Sequence, residues 1–496
     1  MRVTEKYAGE DLSSDSSHVL PPKTSSAVLC VDLDGTILKT DLLWECMISL
    51  IQVQPSALLL LPIWLMQGKA ALKRQLADRA ELKVETLPYR AEVLAFLATQ
   101  QEQGRHIALV TGSDSSLAES VASHLGLFDE VHGTREGRNL SGKEKAAFLQ
   151  TKFSSTGFDY IGNSNVDMPV WKTAREGYVV GDGGLARRAA SVTHVEAVFE
   201  SKAPSLLSWL KALRGHHWAK NLLLFLPLLL SHNLDVFSIG ATAVGFLLFG
   251  LCASSIYILN DLLDLHSDRA HPWKAKRPFA SGETPIPSGL LVSMILVTSS
   301  IALGFWLKPA FGAVLIAYVV TTVWYSTALK RVPLVDVFVL SGFYSIRIWA
   351  GSVITSVPLS DWFLAFSFFF FFSLAAAKRY SELLHAAELV ESGNSGRAYD
   401  RNDRDVFIHL GIGSSFSAVL ILALYVHSKE VLNLYRRPEL LLLICPVILY
   451  WLSRLWFRAN RGELDDDPVV LSIRDPVSYA IAGVILAVLL FSSYTG

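Results

Sequence analysis

Two acidic motifs stand out as residues that could handle a phosphate group together with a metal ion. The first, DLDGT at 32–36, places two carboxylates one residue apart and follows them with a glycine suited to a tight turn. The second, NDLLDLHSD at 260–268, spaces its aspartates at i, i+3 and i+7, so that they share one face of a helix. Carboxylate oxygens are ligands that Mg²⁺ prefers. Both motifs therefore predict magnesium-assisted chemistry on phosphate or diphosphate groups.

The first motif follows a short apolar run, and two later apolar runs end in polar residues in the same way. AVLCV precedes DLDGT, HIALV precedes TGSD at 111–114, and FDYIG precedes NSNVD at 163–167. These runs predict β-strands. Because the carboxyl ends of parallel strands meet at one edge of a sheet, the polar residues after them should lie together. A further segment, NLSGKEK at 139–145, opens a helix between the second and third runs.

In order and type these motifs resemble those of the haloacid dehalogenase (HAD) superfamily, across about residues 26–200. The resemblance implies an α/β fold, a Rossmann-type parallel sheet with a small helical cap at about 40–98. It implies that Asp32 attacks phosphorus to form an aspartyl-phosphate and that Asp34 protonates the leaving alcohol and then activates water. It further implies Thr111 and Lys145 as catalytic groups on the phosphoryl oxygens, Gly112 and Ser113 as substrate-binding groups, and Asp32, Asp34, Asn163 and Asp167 around one Mg²⁺.

One position departs from the HAD pattern, because Asn163 stands where the fourth motif usually begins with an aspartate. Weaker metal binding, or a metal held mainly by Asp32 and Asp167, would follow. A phosphatase fold without activity is a further alternative, against which the retained Asp34 and Lys145 argue. The cap contains the apolar run SALLLLPIWLM, which is either a helix at the membrane interface or an ordinary core helix. In both cases the cap should gate access to Asp32.

The composition predicts a membrane domain. The chain has 496 residues, 51% of them apolar, and a mean hydropathy of +0.37, which is more apolar than an ordinary soluble protein. Charged residues are mixed into the first 200 residues, whereas long uncharged runs dominate from about Leu222 onward. The net charge of −1 gives no reason to expect nucleic-acid binding. The four cysteines lack metal-ligand spacing and are expected to be reduced core residues.

Eight stretches are apolar over a length that can cross a bilayer, near 238–259, 288–307, 310–328, 334–353, 360–377, 407–426, 438–453 and 478–494. A ninth, at 221–230, is short and contains Pro227, but a helix-compatible segment precedes it, and we count it. Nine spans with a cytosolic start put the loops rich in Lys and Arg on the cytosolic side. We therefore expect a multi-pass protein of the cell (inner or plasma) membrane, with a cytosolic phosphatase domain and a C-terminus on the far side. Residues 1–25 lack the apolar core of a secretory signal and are expected to be disordered.

The second acidic motif lies at the predicted cytosolic end of the span near 238–259, where carboxylates beside hydrocarbon indicate an ion site. The cations Arg269, Lys274, Lys276 and Arg277 follow it and are expected to meet phosphate oxygens. The motif resembles NDxxDxxxD, the first motif of the UbiA superfamily of intramembrane prenyltransferases, over about 205–496. The resemblance implies an all-α bundle of about nine transmembrane helices around a cavity. It also implies Asp261 and Asp264 as catalytic residues, a second Mg²⁺ held by Asn260, Asp261, Asp264 and Asp268, and a diphosphate bound by Asn260, Lys274 and Arg277.

Other residues resemble the branch of this superfamily that makes polyprenyl-phosphate phosphoribose, in which the diphosphate belongs to phosphoribosyl diphosphate and a lipid phosphate is the acceptor. The substrate-binding residues that this resemblance implies are Arg214, Lys220, Tyr325, Lys330, Tyr344, Arg347 and Lys378. Asp336 and Arg347 are eleven residues apart, so they share a helix face and are expected to pair or to line the cavity. Typical members instead prenylate an aromatic acceptor and carry a second acidic motif after the sixth span, which Asp400, Asp403 and Asp405 match only loosely.

The pairing of the two domains suggests two successive steps. A polyprenyl phosphate would displace diphosphate from C1 of the ribose, and the HAD domain would then remove the 5-phosphate, giving polyprenyl-phosphoryl-ribose for cell-envelope sugar synthesis. The alternative is an aromatic prenyltransferase fused to an unrelated small-molecule phosphatase; a non-catalytic scaffold would require both motifs to be vestigial. The expected partners are phosphoribosyl diphosphate, polyprenyl phosphate and the lipid bilayer, with Mg²⁺ in each domain. A homo-oligomer is left open.

Overall fold

The computed structural model of the chain describes residues 27–135, 137–201, 203–231, 235–388, 399–464, 468 and 475–494. Within these ranges the chain divides into two compact units. The described residues of Met1–Ala212 and Ile258–Leu291 form the first unit, and those of Leu213–Tyr257 and Val292–Gly496 form the second. Both acidic motifs thus belong to the first unit, although they are far apart in sequence. The segment 1–25, expected to be disordered, lies outside the described residues.

A six-stranded parallel sheet forms the centre of the first unit. Its strands are β1 (Val28–Val31), β2 (Ile107–Asp114), β3 (Glu130–Thr134), β4 (Phe158–Gly162), β5 (Glu176–Gly181) and β6 (His194–Glu200), in the spatial order β3-β2-β1-β4-β5-β6. β1 is central and wholly buried, because both faces of such a sheet are covered, and its sequence is uninterruptedly apolar for that reason. Leu29 and Val31 enter the core on one face, Val28 and Cys30 the core on the other. The Rossmann-type sheet predicted from the sequence is confirmed.

Helices connect the strands, and three of them build the cap. The α-helices up to residue 269, apart from the first long apolar one, are Leu42–Val53, Leu61–Met66, Lys69–Ala77, Ala91–Glu102, Ser115–Leu125, Lys143–Lys152, Met168–Trp171, Gly183–Ala190, Leu206–Leu213, Leu226–Leu230 and Leu265–Arg269. The first three, with the 3₁₀ helix Pro55–Leu60, form the predicted helical cap. Within its apolar run Ala57 and Trp64 are buried, whereas Leu59 and Met66 are 81% and 89% exposed. The run is therefore only partly a core helix.

The chain turns sharply after β1, and a glycine makes the turn possible. Gly35 has a φ of +72°, in the left-handed region that side chains disfavour. A Cβ atom on Gly35 would also lie 2.0 Å from Nδ2 of Asn163, which follows β4. Gly35 therefore serves the turn and at the same time allows the first and fourth phosphatase motifs to approach each other.

Long apolar helices make up most of the second unit. Among the described residues, eight helices are long and apolar enough to cross a membrane: Val236–Leu263, Ile286–Leu307, Pro309–Thr327, Val335–Thr355, Asp361–Leu384, Arg404–Val426, Pro438–Asn460 and Pro476–Ser493. The fifth continues to Glu388 and the last to Tyr494, the seventh begins as the 3₁₀ helix Pro438–Leu443, and the short helix Lys429–Leu434 precedes it. The chain is a multi-pass membrane protein, as the sequence predicted.

The ninth span expected at 221–230 is not one of these eight helices. This stretch folds as the 3₁₀ helix Gly215–Phe225 followed by the α-helix Leu226–Leu230, with Pro227 in its first turn. At about 2.0 Å per residue for the former and about 1.5 Å for the latter, the two helices together reach about 30 Å. The hydrocarbon core of a bilayer has that thickness. The ninth span, and with it the side on which the C-terminus lies, stays a prediction.

The cysteines are core residues. Cys30, Cys46, Cys252 and Cys445 are all buried and free. Burial raises the pKa of the thiols of Cys30 and Cys46 far above the ordinary range, which keeps both protonated and unreactive. This agrees with the reduced core role expected from their spacing.

A buried ion pair at the amino-terminal edge of the sheet stabilises the first unit. Arg105 precedes β2 and donates to Asp159 in β4, and the two side chains are 5% and 1% exposed. We expect Asp159→Asn to lower the free energy of unfolding by about 3–5 kcal/mol, because Arg105 is left buried without a counter-charge. Thermal unfolding would measure the loss.

The matched control for this variant is Asp78→Asn. Asp78 pairs with Arg74 on the cap surface, where the side chains are 45% and 41% exposed. Water and salt screen such a pair, so we expect a loss below about 1 kcal/mol. Equal destabilisation by the two substitutions would contradict the importance given to the buried pair.

Candidate functional site

The strand ends bring the phosphatase motifs together at the carboxyl edge of the sheet. Nζ of Lys145 donates to Oδ1 of Asp32 at 2.8 Å and to the hydroxyl of Tyr160 at 3.0 Å. That hydroxyl donates to Oδ1 of Asp167 at 2.8 Å. The first, third and fourth motifs are therefore joined through Lys145 and Tyr160. Sequence reasoning missed Tyr160, because it lies within the apolar strand β4 rather than after it.

Asp34 is held on both sides of its carboxylate. Its Oδ1 accepts the backbone N–H of Leu42, the first residue of the cap helix, at 2.9 Å. Its Oδ2 accepts the hydroxyls of Ser113 and Thr111, at 2.6 and 3.3 Å. Burial raises the pKa of Asp34, and that of Asp32, above the ordinary carboxyl range. A carboxyl group that keeps its proton closer to neutral pH is suited to donate it to a leaving alcohol.

The residues after β4 complete the site, and their chemistry fits a divalent cation. Oδ2 of Asp167 accepts the backbone N–H groups of Asn163 and Ser164, at 3.1 and 3.0 Å. Nζ of Lys145 lies 2.8 Å from Asp32 and 3.9 Å from Asp167, so that two buried carboxylates share one ammonium group. The surplus of negative charge and the carboxylate and amide oxygens suit Mg²⁺. The four ligands expected from the sequence remain the candidates to hold it.

Lys73 is a cation of this site that the sequence did not single out. It belongs to the cap helix Lys69–Ala77, and its Nζ donates to the carbonyl of Gly112 at 2.5 Å and to Oδ1 of Asn139 at 2.9 Å. Burial lowers the pKa of Lys73. Several basic residues follow the apolar run of the cap. Which of them turns inward depends on how the cap packs on the sheet, and no local pattern reports that.

In the second acidic motif the helical backbone continues beyond the long helix Val236–Leu263. The N–H of Asp264 donates to the carbonyl of Asn260, and the N–H of Asp268 to the carbonyl of Asp264, both at 2.8 Å. Asp261 lies in the long helix and helical hydrogen bonding continues to Asp268, so the spacing predicted for Asp261, Asp264 and Asp268 is retained. We call residues 260–268 the acidic segment.

Arg277 gathers two carboxylates of the acidic segment. Its Nη1 donates to Oδ1 of Asp261 at 3.2 Å and to Oδ2 of Asp268 at 2.5 Å. Both aspartates are buried, and burial raises the pKa of Asp268 while Arg277 lowers it. Lys274, the other cation expected to bind diphosphate, is exposed. Buried carboxylates that share one guanidinium suit a metal ion, and the guanidinium suits phosphate oxygens.

Arg269 does not do what the sequence predicted. Its guanidinium donates to both carboxylate oxygens of Glu45, in the cap, at 2.7 and 3.0 Å. The side chains of Arg269 and Glu45 are 4% and 0% exposed. The expectation that Arg269 meets phosphate oxygens is wrong, because a buried carboxylate 224 residues earlier in the chain already neutralises its charge.

In the second unit, the 3₁₀ helix Gly215–Phe225 packs closely against the helix Val335–Thr355. A Cβ atom on Gly351 would lie 2.0 Å from the carbonyl oxygen of Leu224, so glycine is required where the two backbones meet. This approach determines which side chains of the two helices can touch.

Four side chains meet across this contact, and three of them were expected to bind substrate. Nζ of Lys220 lies 5.5 Å from the centroid of the Tyr344 ring. Nε of Arg347 donates to Oδ1 of Asn221 at 2.9 Å. Arg347 is thus bonded to a neutral amide, and Lys220 lies beside an aromatic ring. Asn221 was not predicted as a site residue.

Asp336 does not pair with Arg347. Its Oδ2 accepts Nε of Arg379 at 2.6 Å, and its Oδ1 accepts the hydroxyl of Tyr399. Nη2 of Arg379 donates in turn to the hydroxyl of Tyr325 at 2.8 Å. Of the two alternatives expected for Asp336 and Arg347, the pairing within one helix is wrong, because Arg379 from a neighbouring helix binds Asp336. That both line a cavity stays a prediction. Tyr325, expected to bind substrate, is part of this network.

The remaining residues expected in the second unit lie at helix ends. The guanidinium of Arg214 lies 5.5 Å from the centroid of the Tyr257 ring. Lys330 belongs to the 3₁₀ helix Leu329–Arg331, and Lys378 lies next to Arg379 in sequence. Both lysines are half-buried.

Comparison with known proteins supports the assignment of both parts of the chain. The sequence matches the UbiA prenyltransferase family over residues 221–465 and haloacid dehalogenase-like hydrolases over residues 29–172. It is 36% identical over 463 residues to the uncharacterized protein y4nM of Sinorhizobium fredii, which covers 92% of this chain and 89% of that protein. The chain belongs to the UbiA prenyltransferase family and carries a HAD-like hydrolase domain.

Two further relatives match only part of this chain. The nodulation protein NoeC of Azorhizobium caulinodans is 32% identical over 269 residues, which is 54% of this chain and 88% of NoeC. The decaprenyl-phosphate phosphoribosyltransferase of Mycolicibacterium smegmatis is 36% identical over 179 residues, which is 35% of this chain and 56% of that enzyme. The chain thus spans just over half of the phosphoribosyltransferase.

Removing the cap lysine should impair the HAD-like domain. We expect Lys73→Met to lower kcat/KM for a small phosphate ester by about tenfold or more, because hydrogen bonds from a charged group contribute about 1.5–3 kcal/mol. The measurement is hydrolysis of para-nitrophenyl phosphate by the whole protein with Mg²⁺. Lys69→Met, at an exposed position of the same helix, is the control and should change the rate by less than about twofold. Similar losses in both variants would show that only the general charge of the cap matters.

Proposed function

We propose that this UbiA-family protein is bifunctional. It transfers 5-phosphoribosyl from phosphoribosyl diphosphate to a polyprenyl phosphate, releases diphosphate, and then removes the 5-phosphate through the HAD-like domain. The product is polyprenyl-phosphoryl-ribose, a precursor for cell-envelope sugars. The observation that carries the proposal is that one compact unit contains both Asp32 with Lys145 and the acidic segment with Arg277. The similarity to a decaprenyl-phosphate phosphoribosyltransferase supports the choice of substrates.

The first step is displacement at C1 of the ribose. An oxygen of the lipid phosphate forms a bond to C1, and the bond from C1 to the diphosphate breaks, with the electron pair leaving on the diphosphate. Asn260, Asp261, Asp264 and Asp268 are the residues proposed to hold Mg²⁺, which neutralises the leaving group when bound. Nη1 of Arg277 lies 3.2 Å from Asp261 and 2.5 Å from Asp268. We propose that this guanidinium releases one of the two carboxylates and binds an oxygen of the diphosphate in its place.

The cations of the second unit are proposed to bind the substrates. Two cations, Lys220 beside the ring of Tyr344 and Arg347 bonded to Asn221, lie where two helices meet and supply positive charge for a phosphate group. The remaining proposed binding residues are Arg214, Lys274, Tyr325, Lys330, Tyr344 and Lys378.

The second step is hydrolysis of the 5-phosphate ester. A carboxylate oxygen of Asp32 attacks phosphorus, the ester bond breaks, and Asp34 gives its proton to the ribose oxygen. Water then attacks the aspartyl-phosphate, Asp34 takes its proton, and inorganic phosphate leaves. Lys145, with Thr111, stabilises the phosphoryl oxygens. Mg²⁺ supplies further charge neutralisation in this domain.

The proposed reaction order agrees with the predicted topology. A HAD-like domain at 26–200 and a transferase domain at 205–496, with the former in the cytosol, would give both steps access to water-soluble phosphoribosyl diphosphate.

The alternative function, prenylation of an aromatic acceptor, needs a second acidic motif at Asp400, Asp403 and Asp405. Oδ2 of Asp403 accepts the backbone N–H of Asp400 at 2.8 Å, just before the helix Arg404–Val426. This carboxylate organises a turn, which favours the phosphoribosyl reaction.

The test is incubation of the purified protein with Mg²⁺, phosphoribosyl diphosphate and a polyprenyl phosphate, with lipid products followed by mass. We expect ribosylated lipid without a 5-phosphate from the unaltered protein. Asp32→Asn should accumulate the lipid that still carries the 5-phosphate, because the nucleophile is lost. Asp261→Asn should form less than about one hundredth of either product.

Two results would overturn parts of this proposal. Absence of any ribosylated lipid, together with prenylation of an aromatic acceptor from a prenyl diphosphate, would replace it by the alternative function. If Asp32→Asn still gave the dephosphorylated lipid, transfer would stand and the second step would not. Asp78→Asn, in an exposed pair of the cap, is the control that should leave both products unchanged.

A further inference from the structure

A buried ion pair joins the cap of the phosphatase to the acidic segment of the transferase. Glu45 lies in the cap helix Leu42–Val53, and Arg269 directly follows Asp268. Two N–H groups of the guanidinium donate to the two carboxylate oxygens, at 2.7 and 3.0 Å. Such a bidentate pair fixes direction as well as distance. With exposures of 0% and 4%, neither side chain can exchange its partner for water.

Other contacts hold the chain after the acidic segment in the first unit. Nε of Arg269 donates to the carbonyl of Ala280 at 3.0 Å, which closes the loop between them. Gly282 has a φ of +75°, and a Cβ atom there would lie 2.7 Å from Cβ of Lys39. The loop is therefore packed against the phosphatase domain at two places, Arg269 against Glu45 and Gly282 against Lys39. At the first of these places both charges are buried.

On the phosphatase side, this link begins at the catalytic acid. The N–H of Leu42 donates to Oδ1 of Asp34 at 2.9 Å, and Glu45 lies one helical turn further along. The hydroxyl of Thr40 donates to Oε1 of Glu45 at 2.7 Å. The helix start that holds Asp34 thus also orients Glu45.

On the transferase side, the link ends at the carboxylates that share Arg277. Arg269 is the last residue of the short helix Leu265–Arg269, which contains Asp268. Asp268 and Asp261 both accept Nη1 of Arg277. A rotation of this short helix would separate Asp268 from Asp261, and a misplacement of about 1 Å in a reacting site can cost about a hundredfold in rate.

We propose that Glu45 is a positioning residue for the transferase: through Arg269 it sets the acidic segment in the geometry that receives a metal-chelated diphosphate. The phosphatase domain thereby contributes to the transferase independently of its own chemistry. This inference rests on the proposed function only in taking the acidic segment as a diphosphate site, whatever organic group the diphosphate carries.

The experiment measures binding of inorganic diphosphate to the whole protein in the presence of Mg²⁺, by calorimetry. Glu45→Gln keeps the shape of the side chain and removes its charge, and we expect the affinity for diphosphate to fall about tenfold. The KM for phosphoribosyl diphosphate should rise by a similar factor, while binding of polyprenyl phosphate is unchanged. Glu45→Gln with Arg269→Gln leaves no unpaired buried charge, so this double variant should regain thermal stability but not affinity.

Asp159→Asn is the matched control, because it breaks the buried pair with Arg105 in the same unit. It should lower Tm as Glu45→Gln does and leave the affinity for diphosphate unchanged. Unaltered affinity in Glu45→Gln, or an equal loss in Asp159→Asn, would overturn the inference and leave the pair a stabilising contact only. Diphosphate binding without ribosyl transfer by the unaltered protein would overturn the proposed function alone. Absence of diphosphate binding would overturn both.

Discussion

Asp32, Asp167, Asp261, Asp268 and Glu45 are carboxylates that the fold withdraws from water, and the arrangement of the first unit depends on the cations beside them. An ionised carboxylate without a partner in such surroundings would cost far more than any single hydrogen bond returns. The cations that lie against these carboxylates are Lys145, Arg277 and Arg269. Lys145 lies 113 residues from Asp32 and Arg269 lies 224 residues from Glu45, so folding must bring distant segments together before these two carboxylates can be buried. Arg277 lies only 9 residues from Asp268.

The parallel sheet provides the place where the phosphatase charges meet. β1 is central, and the ends of β2 and β4 lie on either side of it, so Asp32 and Asp34 find Thr111 with Ser113 on one side and Asp167 on the other. The cap contributes the backbone N–H that holds Asp34 and the ammonium of Lys73. Cap and sheet together therefore determine the protonation and the orientation of Asp34.

In the second unit a buried charge is stabilised in another way, and here the charge is a cation. Arg347 lies over the rings of Phe249 and Tyr318, at 5.0 and 5.3 Å, and donates to Asn221. Ring faces and an amide stabilise the cation without neutralising it. Arg379, in contrast, is paired with Asp336. Arg347 thus remains suited to an anionic substrate, whereas Arg379 mainly joins helices.

Much of the fold and of the phosphatase site was predictable from the sequence by itself, because both follow from local patterns. Apolar runs of strand length locate β1, β2 and β4, and parallel strands place the residues that follow them at one edge. The left-handed turn at Gly35 and the helical spacing of Asp261, Asp264 and Asp268 are likewise local, and the structure contains them.

The tertiary structure alone decided which charges pair. Arg269 and Arg277 are only eight residues apart, and no local pattern distinguishes them. Yet Arg269 is bound by Glu45, whereas Arg277 is bound by Asp261 and Asp268. Asp336 had an arginine on its own helix face and pairs with one on another helix. Local periodicity gives the face on which a side chain lies, but the partner depends on which distant backbone packs there. Whether a cation serves a substrate or the fold is therefore settled by packing between segments far apart in the chain.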